Sequence, residues 1–262
     1  MDVHIPRPAV PPIWREGMVG LEAAGLMRSP VWRGTGLPPG DDRPVLLIPG
    51  YLAGDGSLAI MTRWLRSIGY HTSRAGVRVN ADCSASACRG LEARLERMAD
   101  RSGQRVSIVG QSRGGILART IAVRRPDLVS GIVTLGSPVK GMLGIHPLVL
   151  GSIGVIALLH AMRLPHTLGF DCLRGTCCEE FRDALAAPFP EDVGYTAVYS
   201  RRDGIVNWRN CLDPNAQEHV EVSSTHCGMA VNASVYGVVG RSLARFARAD
   251  DVPVWAEWAD AA

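Results

Sequence analysis

The chain has 262 residues, 47% of them apolar and 20% charged, enough to bury a sizeable core in one α/β domain that carries an insertion. A net charge of +3 with scattered basic residues argues against a nucleic-acid partner. Residues 1–15 hold prolines and charges but no apolar run that could form a signal-peptide core, so the expected location is cytoplasmic.

Residues 1–43 are rich in proline and glycine, with one helix predicted over 14–27 and turn material over 34–42, and read as a packing arm. Strands and helices then alternate: strand 45–48, helix 58–68, strand 70–73, helix 86–101, strand 106–109, helix 115–125, strand 128–135. Such alternation predicts a parallel sheet with crossover helices, and the nearly all-apolar strands are those of a sheet covered on both faces. The rhythm stops at Gly136 and resumes with strands 195–199 and 219–222 and helix 230–248. The core is therefore assigned to 44–139 and 193–262, and a cap or lid to 140–192. Within the lid, residues 141–162 contain no Lys, Arg, Asp or Glu, a length that could in principle span a bilayer. Pro147, His146, His160, four glycines and a position between two strands of one sheet favour a buried or lid helix instead. Membrane contact along one face is the second reading and a true span the third.

The motif that carries chemistry is Gly110-Gln111-Ser112-Arg113-Gly114, preceded by an apolar strand and followed by a helix-compatible run. That is the setting of a nucleophile elbow, in which a serine at strained backbone angles caps a turn between strand and helix and small residues flank it where the two crowd together. A serine hydroxyl is too weak an acid to act alone; it needs a histidine to take its proton and a carboxylate to hold that histidine. Asp203 lies just beyond the strand over 195–199, and His226 lies between the last strand and the final helix. Of the other histidines, His219 reads as a surface or packing residue, His146, His160 and His166 belong to the lid, and His4 and His71 have no catalytic context.

An oxyanion would need backbone donors. These are assigned to the N–H of Arg113, which opens a helix, and to that of Tyr51 in the glycine-rich loop Ile48-Pro49-Gly50-Tyr51-Leu52-Ala53-Gly54-Asp55-Gly56, with Leu52 as the fallback. The loop lacks a Gly-Lys-Ser/Thr ending and a G-x-G-x-x-G, which argues against phosphate binding. Seven cysteines at short spacings (Cys83 to Cys88, Cys172 to Cys177 and Cys178, Cys211 to Cys227) could close disulfide loops in an oxidising compartment. Metal binding is disfavoured by spacing, because no C-x-x-C pair recurs and no histidine stands at zinc-like distance from a cysteine.

These residues resemble the α/β-hydrolase superfamily, and more narrowly its bacterial lipases and esterases, over residues 44 to about 248. The resemblance rests on Pro49-Gly50-Tyr51, Gly110-Gln111-Ser112-Arg113-Gly114-Gly115, Asp203-Gly204-Ile205-Val206 and His226. It implies an α/β-hydrolase fold, hydrolysis of an ester through an acyl-enzyme with Ser112, Asp203 and His226 as the triad, a small-molecule ester or lipid substrate, and no cofactor and no metal. Two departures stand out. Pro49-Gly50 replaces the more usual His-Gly, removing a histidine that often braces the loop, and little room precedes the first strand for two leading antiparallel strands, so a trimmed sheet is expected. The apolar lid points to lipid-like or medium-to-long acyl groups and leaves peripheral membrane contact open. An acyltransferase using the same acyl-enzyme, a peptidase or amidase, and a non-catalytic protein that keeps the fold are the alternatives.

Overall fold

The computed structural model describes residues 11–141, 145–164 and 167–251. The arm begins with a 3-10 segment, Ile13–Met18, and continues as α1 (Val19–Arg28), so the predicted single helix starts as a tighter turn. The core follows as β1 (Pro44–Ile48), α2 (Ala59–Ser67), β2 (His71–Arg74), α3 (Ser84–Ser102), β3 (Val106–Gln111), α4 (Arg113–Arg124) and β4 (Val129–Leu135). Three helices, α5 (Pro147–Ala161), α6 (Phe170–Arg174) and α7 (Glu179–Ala186), lie between β4 and β5 (Gly194–Tyr199). The chain then runs through β6 (Glu218–Glu221) into α8 (Ala233–Asp251).

The six strands form one sheet in the order β2-β1-β3-β4-β5-β6, and every neighbouring pair is parallel. No strand precedes β1 among the described residues, which fits the trimmed sheet expected from the short leader. Alternation along the strands divides the core in two. Val45 and Leu47 of β1 pack with Trp64 of α2 and with Tyr236 and Phe246 of α8, while Leu46 and Ile48 pack with Leu91 and Leu95 of α3 and Leu117 and Ile121 of α4. Apolar residues on both faces are what a fully covered parallel sheet requires.

The inserted helices are tied to the core by polar contacts. Arg119 of α4 is buried, pairs with the equally buried Asp213, and donates to the carbonyls of Leu185 at 2.6 Å and Ala187 at 3.1 Å at the end of α7. Satisfying the last carbonyls of a helix with a cation complements its dipole as well as its hydrogen bonding. At the other end, the His146 N–H donates to the Ile205 carbonyl at 2.8 Å, so the insertion starts against the loop that carries Asp203.

The bilayer-spanning reading does not survive. The apolar stretch becomes a helix of 15 residues begun by Pro147, about 22 Å long at 1.5 Å per residue, against the roughly 30 Å of a hydrocarbon core. No helix among the described residues is long and apolar enough to cross a membrane. Nor is α5 buried. Only Ala157 of the helix is fully buried, while Leu148, Val155 and Leu158 stand in solvent, followed by Met162, Leu164 and Phe170.

Candidate active site

The candidate residues lie at the carboxyl edge of the sheet, where each strand hands the chain to a loop. Ser112 follows β3 directly and opens α4 with φ 52° and ψ −120°, a left-handed conformation for a non-glycine residue. Its neighbours show why glycine flanks it. A Cβ on Gly110 would lie 2.5 Å from the Gly114 carbonyl oxygen, and one on Gly114 would lie 2.2 Å from that of Ile48. Ser112 is further held by its own N–H, which donates to the Leu135 carbonyl at 2.8 Å.

Asp203 and His226 are brought together as the sequence order suggests. The Asp203 Oδ2 lies 2.6 Å from His226 Nδ1, and both residues are buried, with 4% and 5% of their surface exposed. Asp203 Oδ1 accepts from the Ile205 and Val206 N–H groups at 2.8 and 2.7 Å, which fixes the carboxylate in its turn. Burial works against a charged imidazole, but the Asp203 carboxylate, by charge and by hydrogen bond, and the nearby Glu16 outweigh it and hold the His226 pKa above its ordinary value. Gln111, next to the serine, donates through Nε2 to the His226 carbonyl at 3.1 Å and so joins the elbow to the histidine loop.

Several supporting residues carry no signal in their local sequence. Glu16, in the arm, accepts from the N–H groups of Gly204 and His226 at 2.9 Å through Oε1 and from that of Cys227 at 2.8 Å through Oε2. One carboxylate thus clamps the aspartate loop to the histidine loop. Glu22 of α1 binds the adjoining stretch, accepting from the Thr225 N–H at 2.9 Å and hydroxyl at 2.8 Å and from Asn232 Nδ2 at 2.7 Å. Gly136, at the end of β4 with φ +58°, leaves space beside the pair: a Cβ there would sit 3.1 Å from His226 Nδ1 and 3.2 Å from Asp203 Oδ2.

The loop after β1 is braced by Asn80, which is 3% exposed. Its Nδ2 donates to the Pro49 carbonyl at 2.7 Å, its N–H donates to that of Ala53 at 2.8 Å, and its own carbonyl accepts from the Leu52 N–H at 3.2 Å. The Arg113 guanidinium in turn holds Asn80 Oδ1 and reaches the Asp82 carbonyl and Ser84 Oγ. Asn80 therefore ties the loop over residues 49–53 to Arg113. The Leu52 N–H is committed to Asn80, which removes Leu52 as a fallback oxyanion donor. Gly50 lies against the serine, since a Cβ on it would be 3.2 Å from Ser112 Cβ. The Tyr51 hydroxyl meets Ser152 of α5 at 3.4 Å, so the same loop touches that helix.

The remaining histidines have local partners. His146 Nδ1 accepts from the Leu148 N–H at 3.2 Å and caps α5, His160 Nδ1 lies 3.2 Å from Thr167 Oγ1, and His219 Nε2 lies 2.8 Å from the Asp213 carbonyl. His71 is exposed beside Asp42; His4 and His166 lie outside the described residues. The disulfide loops suggested by cysteine spacing are not seen, for no two of the seven cysteines are joined. Cys88 is buried within α3 and Cys211 is buried too.

A covered parallel sheet with a strained serine between strand and helix and an Asp–His pair on the following loops defines an α/β-hydrolase fold. Solved structures agree on that fold. The metagenomic carboxyl esterase MGS0156 is similar with a TM-score of 0.58 at 14% identity, over 92% of this chain and 91% of its own. The mature lipase BlEst2 of Bacillus licheniformis gives 0.57 at 16% identity, over 79% and 94%. The mouse alpha/beta hydrolase domain-containing protein 10 gives 0.52 at 14%, over 82% and 96%. No protein-family model matches the sequence, and no curated protein matches it either.

Proposed function

We propose that the protein is a serine hydrolase of carboxylic esters. The observation that carries this reading is the buried Asp203–His226 pair at 2.6 Å, joined through Gln111 to a serine held in the strained turn of a nucleophile elbow. Ser112 Oγ attacks the acyl carbon while His226 takes its proton. The imidazolium that results is stabilised by Asp203 and returns the proton to the departing alcohol. The released site admits water, which His226 activates to hydrolyse the acyl-enzyme. Two backbone donors receive the oxyanion: Arg113 N–H at the start of α4, where helix donors have no intrahelical partner, and Tyr51 N–H in the loop that Asn80 braces.

The solvent-exposed apolar side chains of α5 and the Tyr51–Ser152 contact between lid and oxyanion loop support a lipid-like or medium-to-long acyl substrate. An apolar surface of this kind lowers the cost of drawing an acyl chain, or the face of a lipid aggregate, to the site. The test combines two measurements. A fluorophosphonate should label wild type one-to-one and fail on Ser112→Ala, and kcat/KM on chromogenic esters should climb as the acyl chain lengthens. Labelling that persists in the variant would refute the nucleophile, and a preference for acetyl esters would refute the substrate class.

Glu16 is assigned as a positioning residue, because both of its carboxylate oxygens are engaged by backbone N–H groups of the loops that carry Asp203 and His226. Glu16→Ala is expected to lower kcat by one to two orders of magnitude with KM nearly unchanged, since a small displacement of a catalytic group costs about 10²-fold. It should also move the rising limb of the pH profile to lower pH, because one of the charges that raises the His226 pKa is gone. A purely structural role would lower stability and leave that limb in place.

A further inference from the structure

Four cysteines that the sequence scatters are gathered at one point of the fold. Cys83 precedes α3, Cys172 lies in α6, and Cys177 and Cys178 lie in the 3-10 turn Thr176–Cys178 that follows. Their sulfurs all lie within 4.8 Å of one another, with Cys83 and Cys178 at 3.5 Å and Cys177 and Cys178 at 3.8 Å. We propose that these four thiols are the ligands of a single structural zinc-class ion that staples the inserted helices to the amino end of α3.

Geometry favours one ion. Zinc–thiolate bonds of about 2.3 Å in a tetrahedron put the sulfurs about 3.8 Å apart. The separations of 3.5 and 3.8 Å lie at or just below that edge, and four sulfurs all within 4.8 Å of one another leave no room for a cube of iron and sulfide. Softness agrees, since an all-thiolate tetrahedron selects zinc over the harder divalent ions. Binding replaces four S–H bonds by four metal–sulfur bonds, releases four protons, and leaves a site with net charge of −2.

The surroundings suit such a charge. Cys83 stands at the N-cap of α3, the end of a helix where backbone N–H groups lack intrahelical partners and favour negative charge. The Arg113 guanidinium binds the Asp82 carbonyl and Ser84 Oγ on either side of Cys83. Arg182 donates to the Gly175 carbonyl, between Cys172 and Cys177, at 2.8 Å, and its other terminal nitrogen, Nη1, is buried without a partner. Cys178 is buried and Cys83 and Cys172 pack against the core, and four protein ligands leave no coordination position for a catalytic water. Spacing rules missed it because only Cys172, Cys177 and Cys178 are neighbours in sequence, and the fourth ligand arrives through the fold. The loop that delivers Cys83 also carries Asn80 and Asp82, so the ion would steady the brace of the Ser112 region from outside it.

The test is metal content by elemental mass spectrometry on full-length protein purified without chelator, together with native mass and thiol counts. One zinc per chain is expected, with four thiols protected until a chelator and denaturant are added. Cobalt exchanged into the same protein should give the visible bands and thiolate charge transfer of a tetrahedral all-sulfur site. Cys177→Ala, at an exposed position, should lose metal by more than the roughly 10–100-fold that removal of an outer-shell partner costs. Metal-free protein with four reactive thiols, two disulfides among these cysteines, or the spectrum of an iron–sulfide cluster would each overturn the proposal. None of these readouts depends on esterase activity.

Discussion

Ser112→Ala is expected to lower kcat on a chromogenic ester by roughly 10⁶-fold, and adding His226→Ala to it should cost almost nothing more. The reason is that in the proposed mechanism the two side chains act as one unit. A histidine that has no hydroxyl to deprotonate contributes no nucleophile, and a serine without its base attacks no faster than a bound alcohol. What survives both changes is the oxyanion loop, which should still speed hydrolysis by about 10³–10⁴ over water because its donors are backbone groups that neither substitution touches. The measurement is a double-mutant cycle with purified variants assayed at one pH. Strict additivity of the two losses would mean that Ser112 and His226 act separately, and a Ser112→Ala rate within about tenfold of wild type would remove Ser112 from the chemistry altogether.

The parts of this site that were legible in the sequence are those whose function imposes a local pattern. Gly110 and Gly114 have to be small because the strand and helix close on each other around Ser112, and that crowding writes itself into five consecutive residues. The parallel sheet was legible for the same reason, since apolar runs such as the one that became β3 are what burial on two faces leaves behind. Asp203 and His226 could be picked out by their place after the last two strands.

The support for these residues was not legible, because it comes from contacts between distant segments. Glu16 sits in an arm whose sequence reads as packing material, and nothing near it announces that it will accept from Gly204, His226 and Cys227. Asn80 looks like a loop residue until the fold brings it to Pro49 and Arg113. The cysteines mislead further, because spacing along the chain suggested loops such as Cys83 to Cys88, whereas Cys83 in the fold faces Cys178. The apolar segment 141–162 left a membrane span open as its third reading for a different reason. Hydropathy counts residues, but Pro147 starts the helix late and Met162 ends it, so the uncharged stretch is longer than the helix it makes.

Asp203→Asn should leave the fold nearly intact and reduce kcat by about 10⁴-fold, a loss that arises from a proton on the wrong nitrogen. In the wild type the Asp203 carboxylate can only accept from His226 Nδ1, so in the neutral imidazole Nε2 is unprotonated, the state that the proposed base toward Ser112 requires. An asparagine can keep its carbonyl oxygen on the Ile205 and Val206 N–H groups, and it then turns an NH₂ toward Nδ1. The imidazole answers by moving its proton to Nε2, where it can no longer accept one. The pH profile carries a second signature. The base works only when neutral, so kcat/KM rises with pH and levels off above the His226 pKa, which Asp203 and Glu16 hold above its ordinary value. Removing the Asp203 charge takes away the larger of those two attractions. The rising limb must therefore move to lower pH even as the plateau falls. Profiles of wild type and variant on one ester separate the two effects, and a variant whose limb stays put would show that Asp203 does not set the charge state of the base.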